Sequence, residues 1–155
     1  MQRMIAAVVV VGVVVGPVTS SGAQPTRNPL KGVWKVVEVS GGIEGTNTSP
    51  QASLYIFTDR YYSIMRVSGT KPRPAGPAGR MTEAERLASA DAFVANAGSY
   101  RVSGSAVSYT AIVAKNESVM GQSRTATIEV DKDVIWWTAQ TPPDQGVRLK
   151  FQRIE

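Results

Sequence analysis

The chain has 155 residues, 17 Lys and Arg against 12 Asp and Glu, and neither cysteine nor histidine. That length suits a single domain with one core, and a net charge of +5 with scattered basic residues gives no nucleic-acid footprint. Missing Cys and His exclude disulfides, a His-based zinc site, a cysteine nucleophile and a Ser-His-Asp triad. Acidic residues do not cluster, so no metal and no cofactor is expected.

The first 23 residues read as a cleavable secretory signal. Arg3 supplies the positive start, and Met4 to Gly16 is an unbroken apolar run that Pro17 breaks. Ser21-Gly22-Ala23 sets small residues at the −3 and −1 positions of a cut before Gln24. The run is short of the roughly 20 residues a spanning helix needs. A secreted or periplasmic product covering residues 24–155 is therefore expected, with no stable membrane anchor after cleavage. Arg3 is the only charged residue removed, which leaves +4.

Residues 31–40, 53–57 and 61–68 are β-branched and aromatic and read as strands. Gly69 to Gly79 holds three prolines and three glycines and reads as an exposed loop. Thr82-Glu83-Ala84-Glu85 fits a capping box, and Thr82 to Ala97 lacks Gly and Pro, so a helix is expected over 82–97 with Gly98 as its stop. Its apolar stripe is Ala84, Leu87, Val94 and Ala97.

Five more strands follow at 99–102, 106–114, 122–130, 134–140 and 147–154. Alternation is clearest in the last: Val147, Leu149, Phe151 and Arg153 on one parity, Arg148, Lys150 and Gln152 on the other. Eight strands with mostly short connections predict a mainly β fold. The favoured architecture is an eight-stranded antiparallel up-and-down barrel with one helix inserted between the third and fourth strands; a two-sheet sandwich is the alternative.

In such a barrel the first and last strands are neighbours. Gly32-Val33-Trp34 and Arg153 would then meet at one end, with the guanidinium on the indole face closing it. This Gly-x-Trp and terminal Arg resemble the lipocalin signature. More of the chain is similar to the bacterial lipocalin-like domain family, a calycin-type small β-barrel. The similarity runs in order through Leu30 to Val37, Leu54 to Thr58, Tyr61 to Met65, Thr82 to Glu85, Ala97 to Tyr100, Gly121 to Arg124 and Val147 to Arg153. At Ser108-Tyr109 the chain departs from the family pattern, which has a His there, so no role of that His carries over. The resemblance implies a barrel with a possible small-molecule pocket.

Inward parity on the expected strands selects candidate ligand-binding residues. Arg124 sits with Gln122, Ala126 and Ile128, and an interior Arg either anchors a ligand anion or pairs with an interior Glu38. Tyr100, Tyr109 and Met65 complete the set, the tyrosines offering apolar bodies with polar tips. Trp136 and Trp137 are adjacent, so one faces out. The expected partner is a small hydrophobic or anionic amphipathic ligand in the barrel interior. Two other readings stand beside this one. An isomerase-, cyclase- or hydratase-type enzyme would use Glu38 as base and Arg124 as electrostatic stabiliser. An interaction module would use the Lys71–Arg80 loop.

Overall fold

A computed structural model describes residues 28–41 and 45–155; the expected signal and its cleavage site lie outside the described residues. The strands are β1 (Gly32–Ser40), β2 (Ser53–Phe57), β3 (Tyr61–Val67), β4 (Phe93–Ser103), β5 (Ala106–Ala114), β6 (Ser123–Asp131), β7 (Val134–Ala139) and β8 (Arg148–Arg153). One α-helix, α1 (Glu83–Asp91), lies between β3 and β4. Every strand pairs antiparallel with its chain neighbour, and β8 pairs back onto β1, so the sheet closes into a barrel without an open edge.

Two-residue turns join β4 to β5 and β6 to β7. Gly104 supplies a positive φ in the first, and Lys132 holds φ 52° in the second. These turns, the 58–60 turn, the first described residues and the C-terminal residues gather at one end of the barrel. At the opposite end lie the longer connections 68–92, 115–122 and 140–147, with residues 45–52.

The helix is shorter than its periodicity predicts. Thr82 caps it, its side chain accepting from the Glu85 amide while the Glu85 carboxylate accepts from the Thr82 amide. It then stops at Asp91, and Phe93 to Gly98 form the first half of β4, paired along β3 from Val67 back to Tyr62. Non-local pairing overrides the helical propensity of an Ala-rich segment here, and aromatic and β-branched Phe93-Val94 favour the extended state. The expected apolar stripe is not buried either: Ala84 and Leu87 are exposed, and Ser89 is the buried residue of α1.

Inward side chains fill one end and leave the other open. Trp34, Phe57, Tyr100, Val107, Ile128, Ile135 and Phe151 pack with Leu30 as a continuous core. Tyr55 meets Phe151 edge-on at 4.7 Å, and Phe57 meets Tyr100 at 5.3 Å.

Candidate ligand cavity

The filled end is clamped by contacts between the first and last strands. Trp34 and Arg153 are register partners, and the guanidinium carbon lies 4.1 Å from the indole centroid. Arg153 also donates to the Lys31 carbonyl at 2.8 Å and the Pro29 carbonyl at 3.4 Å, and pairs with Asp133 at 3.4 Å. The Trp34 indole N–H donates to the Leu30 carbonyl at 2.7 Å. Gly32 has φ 136°, and a Cβ there would run into the Arg153 guanidinium and the Glu155 carbonyl. The structure thus brings Gly32, Trp34 and Arg153 together where the barrel shuts.

Above this plug the interior holds a cavity of about 430 Å³. Its inner end rests on Phe57 and Trp137, whose rings are 6.2 Å apart, with Tyr62 and Tyr109 as side walls meeting edge-on at 5.8 Å. Small side chains keep part of its wall open: Ala111 on β5 and Ala139 on β7. Charge gathers towards the mouth: Arg66, Lys115 and Arg124, with Asp91 and Asp144.

Arg124 stands opposite Tyr109 on β6, and 18% of its side chain is exposed. One terminal nitrogen lies 3.1 Å from an Asp144 carboxylate oxygen, on the loop between β7 and β8. The buried Arg124 Nε and the buried Tyr62 hydroxyl have no hydrogen-bond partner among the described residues. Burial pushes the Tyr62 phenol up to about 12, reinforced by the neighbouring Tyr109 and opposed by Arg124. It raises Tyr109 as well, again against the pull of Arg124, and raises Tyr55 against Arg66. All three phenols are neutral at physiological pH and present hydroxyl groups.

Of the residues that the sequence nominates, Arg124, Tyr109 and Gln122 line this cavity, Gln122 at its exposed rim where it donates to the Ser118 carbonyl at 2.7 Å. The other three lie elsewhere. Tyr100 points inward but belongs to the plug, donating to the Thr58 carbonyl and accepting from the Asn28 amide, both at 2.6 Å. Met65 is on the outer face: β3 turns Tyr62 and Ile64 inward, and Met65 is 39% exposed. Glu38 also faces outward. The register of β1 on β8 slips between Val36 and Glu38, so Val39 aligns with buried Leu149 and Glu38 with Lys150. One extra residue in a strand reverses parity beyond it. Arg124 accordingly pairs with Asp144 and not with Glu38, and the Glu38–Arg124 pair required by the enzyme reading is not assembled. Trp137 faces in; Trp136 faces out beneath Arg148 and Lys150, at 4.2 and 5.0 Å from its ring.

Residues that sequence reasoning missed are Tyr62, Arg66, Lys115, Trp137 and Asp144. Tyr62 follows Tyr61 and Trp137 follows Trp136, so composition left their parity ambiguous. Lys115 and Asp144 lie in loops, which carry no periodicity. In the Lys71–Arg80 loop, Arg73 is held down rather than free, its Nε donating to Ser89 at 2.8 Å and its guanidinium lying over Phe93 at 5.0 Å.

Eight up-and-down strands closing on themselves, with Gly32-x-Trp34 on the first strand clamped by Arg153 on the last, decide the architecture. The fold is lipocalin-like. A lipocalin-like protein from Bacteroides uniformis is similar over 82% of this chain and 100% of its own, at 13% identity and a TM-score of 0.49. An uncharacterized protein from Bacteroides eggerthii is similar over 80% of this chain and 98% of its own, at 11% identity and a TM-score of 0.48. No family model matches the chain, and no curated protein matches it. Among the described residues this lipocalin-like barrel has no acidic cluster able to hold a metal ion and no helix long and apolar enough to cross a membrane.

Proposed function

We propose that this protein is an exported lipocalin-like carrier that binds a small hydrophobic or amphipathic molecule inside its barrel. The observation that carries this reading is the cavity of about 430 Å³, floored by Phe57 and Trp137 and opened by Ala111 and Ala139. Small-molecule sites occupy roughly 300–1,000 Å³ and combine apolar walls with a few convergent polar groups. Arg124, Tyr62 and Tyr109 are such groups here.

N-phenyl-1-naphthylamine, a neutral dye that brightens in apolar surroundings, tests the cavity. The wild type should saturate with it. Ala139→Leu, which fills the space at the β7 wall, should lose that binding while melting at an equal or higher temperature. Ala111→Leu does the same from β5, on the other side of β6, should Ala139→Leu fail to fold. Undiminished binding in a folded, cavity-filled variant would overturn the reading.

Export is supported by the Arg3 start, the apolar run to Gly16 and Ser21-Gly22-Ala23. Expressed at full length in a secreting bacterium, the protein should be recovered from the periplasm or medium with Gln24 as its first residue. Retention in the cytoplasm with Met1 intact would defeat this part of the proposal.

A further inference from the structure

Resting on the binding reading above, we propose that the ligand carries an anionic group, and that this group displaces Asp144 from Arg124 when the ligand enters. Asp144 is then a built-in stand-in for the ligand's anionic group.

The argument begins with the guanidinium. A guanidinium fork matches two oxygens of one planar or tetrahedral anion, and such paired contacts are the strongest it makes. Asp144 uses Arg124 poorly: one terminal nitrogen is engaged at 3.1 Å, and Nε stays buried without a partner among the described residues. An unsatisfied buried donor is costly, and a second acceptor oxygen removes that cost. The pair is also easily exchanged. The Asp144 side chain is 49% exposed on a loop, and ion pairs so open to water are weak.

A second unpartnered group points the same way. The Tyr62 hydroxyl is buried in the same cavity, and Tyr62 and Arg124 both flank Tyr109. Its proton is available to a further oxygen of the incoming anion. Charge supports an anion. Among the described lining residues Arg66, Lys115 and Arg124 face Asp91 and Asp144, an excess of positive charge that grows when Asp144 lets go of Arg124. An anion offsets that excess; a neutral ligand leaves it. The rest of the ligand meets Phe57, Tyr109 and Trp137, which suits a flat or unsaturated apolar body. The class is therefore an aromatic or unsaturated carboxylate or sulfonate. Its release to water lets Asp144 close again on Arg124, so entry and exit are each coupled to the β7–β8 loop.

Two dyes with the same body separate this inference from the binding reading. 8-Anilinonaphthalene-1-sulfonate is the anion, and N-phenyl-1-naphthylamine lacks only the sulfonate. With the full-length mature protein at low salt, Arg124→Gln should weaken the sulfonate dye tenfold or more, and at least fivefold more than it weakens the neutral dye. Asp144→Asn should tighten the sulfonate dye at least threefold and leave the neutral dye within twofold. If Arg124→Gln does not fold at the assay temperature, Arg124→Lys reads the same contrast, since it keeps the charge and loses the fork. Equal losses for both dyes, or none, overturn the inference and leave the cavity reading standing. Unchanged or weaker sulfonate binding in Asp144→Asn overturns the exchange. If neither dye brightens with the wild type, both readings fall.

Discussion

Tyr62 shows how one unpartnered side chain bears on stability. Its hydroxyl is buried and unpartnered among the described residues, and such a group costs about 1–3 kcal/mol. Tyr62→Phe removes the group and leaves the ring against Tyr109 and Phe57. The variant should be as stable as the wild type or more stable by about 1 kcal/mol in urea denaturation. A loss of more than that would show that the hydroxyl has a partner. The same residue sets an alkaline limit. Burial, its largest influence, lifts the phenol from 10.0 to about 12 in the folded state. A raised folded value means that the stabilising contribution is whole below pH 10 and drains away as pH climbs from 10 to 12. Tyr55, Tyr100 and Tyr109 are displaced in the same direction, in each case chiefly by burial. The wild type should therefore lose melting temperature across that window, and Tyr62→Phe should lose less. Parallel pH profiles for the two proteins would contradict the assignment.

The strands differ in how far their sequences reveal them, and the reasons are physical. In β6 and β8 alternation reveals the faces, so Arg124, Ala126 and Ile128 read inward directly. At β4 local and global preferences conflict. Phe93 to Ala97 continues an Ala-rich segment, yet it belongs to β4 because it pairs along β3 from Val67 back to Ser63. Gly98, which reads as a helix stop, serves instead at a slip in the β4–β5 register, where a Cβ would overlap the Thr110 carbonyl. The bulge in β1 has no such marker. Nothing in Val36-Val37-Glu38-Val39 announces that one residue is extra, and that one residue moves Glu38 from the interior to a place beside Lys150. Met65 was misplaced for a related reason: β3 carries large apolar side chains on both parities. The candidate site was thus legible where it sits on regular strands, as with Arg124 and Tyr109. It was illegible where a loop supplies the group, as with Asp144, whose approach to Arg124 depends on the path of the loop between β7 and β8.

At the scale of the molecule, the two ends of the barrel are built for different tasks. The plugged end joins residues 29–33 to the C-terminal residues: Val33 donates to the Glu155 carbonyl at 2.9 Å, Ile154 to the Val33 carbonyl at 2.7 Å, and Arg153 spans Pro29, Lys31 and Asp133. The cavity end is finished by loops with few apolar anchors. Helix α1 is tethered there by polar contacts at its last turn, Arg73 to Ser89 and the Lys115 ammonium to the Ala90 carbonyl, where positive charge also suits the helix dipole. Regions with buried apolar contacts open only with global unfolding, whereas exposed loops open locally. In the ligand-free protein, hydrogen exchange should therefore be slowest at Val33 and Tyr100. It should be fastest at Gly121 and Gly146, although their amides are also bonded, each at 2.9 Å, to the carbonyls of Ala111 and Ala139. A saturating ligand adds stability by mass action, about 2.7 kcal/mol at a hundredfold excess over Kd. That gain should slow exchange at the plugged end, because those amides exchange through global opening. It should slow Gly146 much less, because the anion that stabilises the barrel takes Arg124 from Asp144 and removes the tie on that loop. Equal slowing at both ends would mean that the ligand closes the mouth without releasing Asp144.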